Sequence, residues 1–247
     1  MLTEKLTRYG TLGTHDALKL VALLSMFADH LGAFVYPDII WLRLVGRLAA
    51  PIFFFLIGYS RSYRIHADLV IGAAIMIGVA TIHMHALAEL NILVSFIFVR
   101  LFFLAAEKRR WLLAYPGIVF CILIPFSMTS EHWIEYGTIG WMFALCGYMQ
   151  KNAARYSIPS RFVMMFLSFW FFALYHIAAM VLLAPAAFAL AEVLFACAIS
   201  LWFYRPRPLN IPAKCRKAVP LLAWPARYSL WIYVVHLATL QLITGLY

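Results

Sequence analysis

An all-α polytopic integral membrane protein is the fold class this sequence predicts, and three observations predict it. Hydrophobic residues make up 65% of the 247 positions and charged residues 12%, against about 45–50% and about 25% in soluble domains. The apolar residues are gathered into long runs that do not alternate with period two, so they read as helices rather than barrel strands. The basic residues fall in every second connection between those runs, as the positive-inside rule requires.

About nine spans follow, at roughly 17–36, 39–60, 69–88, 91–106, 111–127, 134–149, 162–183, 185–204 and 228–246, since a crossing helix needs about 20 mostly apolar residues. The fourth, fifth and sixth are short, which suits tilted, broken or partly re-entrant helices. No internal repeat or low-complexity segment interrupts them, and residues 1–247 read as a single transmembrane domain. Lys5 and Arg8 precede the first run, Arg61 and Arg64 follow the second, and Lys108, Arg109 and Arg110 follow the fourth. Lys151, Arg155 and Arg161 follow the sixth, and Arg205, Arg207, Lys214, Arg216 and Lys217 follow the eighth. The opposite connections hold Asp38, Glu89, Glu131 and Glu135 and no Lys or Arg. The N-terminus is therefore expected in the cytoplasm and the C-terminus outside, with the lipid bilayer as the principal partner. The +10 formal charge is accounted for by this topology and calls for no nucleic acid. No cleavable leader is expected, because the first apolar run already contains Asp29 and His30 and lacks a small-x-small site.

The ionisable groups inside the runs are the informative residues. Asp29, Arg43, Arg47, Arg100, Glu192 and the histidines at 30, 83, 85, 176 and 236 all fall within spans. Each ionisable group at mid-helix costs about 2.5–3.5 kcal/mol on insertion scales, less for His. At 1.5 Å per residue, Asp29, His30, Arg47, His83, His176, Glu192 and Arg100 come out about 9–13 Å from the outer border, and His236 at about 18 Å. Helices of opposite direction thus place their costly residues in one layer. Asp29 and His30 are neighbours whose side chains point about 100° apart, so they are not a dyad. Asp29 pairs by depth and sign with Arg47, and a base at His30 needs an orienting group from another helix. Lys19, Met26 and His30 share one helix face, and Arg43 and Arg47 share another. The four cysteines, at 121, 146, 197 and 215, form no C-x-x-C pair, and no metal site is expected.

Several stretches resemble the TraX family, the conjugative pilin N-acetylases. "DALKLVALLSMFADHLGAF" is similar to its first-span signature through Asp16, Lys19, Met26, Asp29, His30 and Gly32. "LRLVGRLAAPIFFFLIG" is similar to the second, through Arg43, Gly46, Arg47, Ala49, Pro51 and Phe53, with Ala50 where an aromatic is usual. Asn91–Leu93 and Tyr136–Gly140 resemble two further blocks, with Glu135 where Asp is common. Tyr233, His236 and Leu237 resemble the closing Tyr-x-x-His-Leu, without its usual Pro. The order of these blocks, and a distant likeness to integral-membrane acyltransferases, imply acetyl transfer from acetyl-CoA to the N-terminal amine of a pilin subunit in the bacterial inner membrane. The resemblance directs attention to His30, Asp29, Arg47 and His236 as catalytic and to Arg43, Asn91, Tyr136, Gly137 and Tyr233 as substrate-binding residues. His30 suits a general base, since imidazole titrates near neutrality. A proton-coupled transporter using the same layer, and a membrane cytochrome with His pairs on facing helices, are the readings that the residues alone leave open.

Overall fold

The computed structural model describes residues 12–84, 90–109, 113–119, 122–123, 135–212 and 219–244. Among these the chain is all-helical, with ten α-helices and no strand. They are α1 (Thr14–Phe34), α2 (Ile40–Gly46), α3 (Ala49–Tyr59), α4 (Ala67–Met84), α5 (Ile92–Lys108), α6 (Ile139–Lys151), α7 (Ile158–Ala179), α8 (Ala184–Trp202), α9 (Val219–Arg227) and α10 (Ser229–Thr244). Four segments are long and apolar enough to cross a membrane: α1, α2 with α3, α7 and α8. Helices α4 and α10 are shorter apolar helices.

Local chemistry sets the boundaries. Asp16 closes the start of α1 by accepting the Gly13 N–H at 3.0 Å, which satisfies an orphan donor and places an acid at the positive helix end. The expected second span, 39–60, is broken after Gly46. Pro51 lacks an N–H and its ring crowds the carbonyl four residues back, at Arg47, so α2 and α3 meet at a kink. The expected sixth span starts five residues late, because Tyr136 and Gly137 have φ of 61° and 35°, a left-handed turn that no helix continues. Ser157 caps α7 by accepting the Ser160 N–H at 3.3 Å, so that helix begins four residues before the expected 162. Helix α9, packed on α1, was not expected, because Pro225 within nine residues hides it from a reading for long apolar runs. Of the fifth expected span, 111–127, residues 113–119 and 122–123 are described, and 116–119 and 122–123 are helical.

At the centre lie α3 and α6. A Cβ on Gly58 would overlap the Ala144 carbonyl, one on Gly147 the Phe55 carbonyl, and one on Gly140 the Phe54 ring. The two helices therefore meet backbone to backbone, the packing that small residues permit where apolar surroundings supply no hydrophobic drive. The α2–α3 segment is 61% buried, whereas α8 is 22% buried and displays Phe188, Phe195 and Ile199 outward.

Successive ends alternate. Thr14 N–H donates to the Arg207 carbonyl at 2.9 Å and Lys151 Nζ to the Ser60 carbonyl at 2.6 Å, gathering the start of α1 with the ends of α3, α6 and α8. Tyr63, buried beside this end, donates its hydroxyl to the Gly58 carbonyl at 2.7 Å. Burial pushes that hydroxyl well above its ordinary pKa, so it stays a donor. At the other end Glu135 N–H donates to the Leu90 carbonyl at 2.8 Å. The first end is the one rich in Lys and Arg.

Candidate functional site

Helix α1 crosses α2 so closely that the two glycines at the crossing are obligatory: a Cβ on Gly46 would strike Asp29, and one on Gly32 would lie 2.9 Å from Leu42 Cβ. This approach lets Asp29 reach both arginines of α2. Arg47 Nη2 donates to Asp29 Oδ1, Arg43 Nη1 lies 3.1 Å from the same oxygen, and Arg43 also donates to the Asp29 carbonyl at 3.3 Å. The expected Asp29–Arg47 pair is thus present, and Arg43 joins it. Glu135, a second carboxylate, is near enough to act electrostatically on both arginines.

His30 turns the other way, as the geometry of adjacent helix residues requires. Its ring stacks on His236 of α10, with centroids 5.2 Å apart and planes 16° from parallel, and lies 6.0 Å from the Tyr233 ring. Phe27 backs His236 at 4.0 Å. His30 Nδ1, His236 Nε2 and the Tyr233 hydroxyl are buried and have no hydrogen-bond partner among the described residues. Buried polar atoms are nearly always paired. Three orphans on two facing helices mark a place built for a polar ligand.

That place opens into a cavity of about 350 Å³. Asp29, His30, Glu135, Tyr136 and Tyr233 line one end. Met26, Ala49, Phe53, Leu56 and Phe96 form an apolar middle. His15, Lys19, Ser60, His66, Asp68 and Arg100 line the other end, beside the basic connections. Lys19, Met26 and His30 all face it, as their shared helix face predicts. Arg43, Arg47 and His236 stand behind the lining rather than in it.

Two expected substrate contacts have other employment. Asn91 caps α5, accepting the Leu93 N–H at 3.0 Å, and donates to the Ala73 carbonyl at 3.2 Å. Gly137 is buried in the left-handed turn and positions Tyr136, whose ring lies 6.3 Å from Phe172 and 6.4 Å from His176. A tyrosine at positive φ is strained, and such residues concentrate at functional sites. His176 is 4% exposed with its Nε2 unpartnered.

The expected layer needs two corrections. Arg100 does not join it: its Nη1 donates to the carbonyls of Ser62 and Arg64, at 3.2 and 3.3 Å, because a long side chain extends to the polar end from mid-helix. Glu192 is exposed on the outer face of α8, since that helix touches the bundle along a narrow stripe. The side chains of His83 and His85 lie outside the described residues.

Sequence reading missed the cavity's second end. Lys19 was visible as sharing His30's face, but His15, His66 and Asp68 sit at helix starts, where nothing in the pattern distinguishes them from connections. Glu135 was read only as an acid of a connection beside a family block, whereas its Oε2 accepts the Ile92 N–H at 2.9 Å and its carbonyl accepts the Ser95 hydroxyl at 2.7 Å.

No solved structure matches this chain. It is similar to the uncharacterized protein RP591 of Rickettsia prowazekii (strain Madrid E), with 27% identity over 140 residues, which is 56% of this chain and 56% of the length of that protein. The family model described as TraX protein matches residues 14–244, from the first residue of α1 to the last of α10. The chain belongs to the TraX family.

Proposed function

We propose that this chain is a membrane-embedded N-acetyltransferase that moves an acetyl group from acetyl-CoA to the N-terminal amine of a conjugative pilin subunit. Membership of the TraX family implies a role in conjugative pilin processing. The observation that supports the chemistry is the cavity that joins the basic end to the half-buried His30 and Asp29 and the buried Tyr233. The basic end is cytoplasmic in this reading, by the positive-inside rule. The chain crosses the bacterial inner membrane nine times, with its N-terminus inside and its C-terminus outside. Acetyl-CoA enters from the cytoplasm with its thioester leading. The pilin N-terminus approaches from the bilayer or the outer side, where the acidic connections favour a cation.

The ammonium of the pilin gives its first proton to solvent water before the neutral amine reaches the thioester. Its nitrogen attacks the carbonyl carbon, His30 Nδ1 takes the remaining proton that must leave, and the carbonyl becomes a tetrahedral oxyanion. The C–S bond then breaks, the amide remains on the pilin, and the proton passes from His30 to the departing sulfur. Tyr233 donates its hydroxyl to the carbonyl oxygen. His236 stacks behind His30 and fixes its ring plane. Asp29, Arg47 and Arg43 lock α1 to α2 beside the site. A positioned base contributes about 10²–10⁴-fold.

The purified chain, acetyl-CoA and unmodified pilin test this by mass spectrometry. Acetyl addition by the wild type and its loss with His30→Ala are expected. No addition by the wild type overturns the function, and full addition by His30→Ala overturns the role of His30.

A further inference from the structure

The cavity's basic end holds two cations. Lys19 on α1 and Arg100 on α5 both line it, both are half-buried, and they are close enough to repel each other, while Asp16, one turn before Lys19, offsets part of the Lys19 charge from outside the lining. Among the described residues the Lys19 amine makes no hydrogen bond or ion pair. Arg100 commits Nη1 to two loop carbonyls and retains further donors in its guanidinium fork. His15 lies beside them, its Nδ1 held 3.1 Å from the Tyr204 hydroxyl. The one carboxylate in this lining, Asp68, occupies the first turn of α4, where the helix dipole holds it. Cations kept together in a half-buried cleft point to an anionic ligand, and a guanidinium with an ammonium suits a phosphate.

The spacing identifies what else that ligand carries. Lys19 and His30 are eleven residues apart on one face of one helix, about 16 Å. The path between them is lined by Met26, Phe53, Leu56 and Phe96. A pantetheine arm, pantoate joined through amides to β-alanine and cysteamine, has the reach of four or five extended peptide units, on the order of 15 Å. We propose that Lys19 and Arg100 anchor the phosphate of a 4′-phosphopantetheine thioester, so that its arm places the thioester carbonyl at His30. This rests on the acyl-transfer reading above and goes beyond it: the phosphate next to the arm is what the cleft recognises, whether a nucleotide or a carrier protein lies on its far side.

Calorimetric titration of the purified full chain in detergent tests it without any acetyl transfer. The probes are CoA, 4′-phosphopantetheine and pantetheine. The wild type should bind phosphopantetheine about tenfold or more tightly than pantetheine. Lys19→Gln should abolish that preference and Lys19→Arg should keep it. Because Arg100 also ties down the Ser62–Arg64 loop, Arg100→Gln is the weaker variant, and Lys19→Gln decides. Equal binding of the two probes by the wild type, or a preference that survives Lys19→Gln, overturns the anchor. CoA binding well above phosphopantetheine supports the anchor with a nucleotide donor. Equal binding of CoA and phosphopantetheine supports it with an arm delivered on a carrier protein, which holo-carrier protein as donor then checks. Acetylation of the pilin is read separately. Transfer by a wild type that ignores the phosphate sinks the anchor alone, and phosphate-dependent binding without transfer sinks the function alone.

Discussion

Removing the carboxylate of Asp29 is the most informative perturbation of the α1–α2 crossing. Asp29→Asn keeps the shape and leaves two guanidinium groups against a neutral oxygen. The Asp29 side chain is 13% exposed and that of Arg47 8%, whereas that of Arg43 is 27% exposed. Breaking a buried pair costs about 3–5 kcal/mol, because the surviving charge stays desolvated. A more exposed pair is worth about 0–1 kcal/mol. Asp29→Asn and Arg47→Gln should therefore each cost about 3–5 kcal/mol, and Arg43→Gln about 1 kcal/mol or less. At about 2–4 °C per kcal/mol for a chain of this size, the first two variants should melt about 6–20 °C lower. Heating in detergent, followed through the fluorescence of the 8 tryptophans, measures this. The double variant Asp29→Asn/Arg47→Gln should cost less than the two singles together, since it removes the stranded charge. An Asp29→Asn shift within about 2 °C, or strict additivity in the double variant, would refute the reasoning.

Other residues give equally direct expectations. Gly147→Ala should cost about 1–3 kcal/mol or more by forcing α6 off α3, while Gly78→Ala, whose new Cβ meets nothing within 4 Å, should be neutral or slightly stabilising; similar melting of the two would contradict the backbone contact. Asn91→Ala should lose about 0.5–2 kcal/mol with its cap yet keep acetyl transfer per folded molecule. Loss of transfer at unchanged stability would return Asn91 to the substrate contacts.

How much of this was legible in the sequence depends on the kind of force involved. The all-helical class and the antiparallel order follow from run length and the placement of basic residues, which are local and additive. Asp29 with Arg47 followed from sign and depth, because a buried charge needs a partner and few lay at the right level. The divergence of Asp29 and His30 followed from helix geometry. Arg100 was misplaced because depth arithmetic locates a Cα, and an arginine side chain is long enough to leave its level. Glu192 was misplaced because depth says nothing about which face of a helix meets the bundle. The break at Arg47 was present in Pro51 but masked by the apolar run around it. The cavity and its Lys19–Arg100 end could not be read, since the lining comes from six helices and two connections whose contacts no periodicity records.

In the proposed reaction His30, at the inner end of a cavity opening at the basic end, takes the proton from a pilin amine. The N-terminal peptide of the pilin, weighed after incubation of purified wild-type and His30→Ala proteins with acetyl-CoA, tests it most directly. An acetylated peptide with the wild type and an unmodified one with His30→Ala at matched thermal stability are expected. An unmodified peptide with the wild type, or equal acetylation by both, would contradict it.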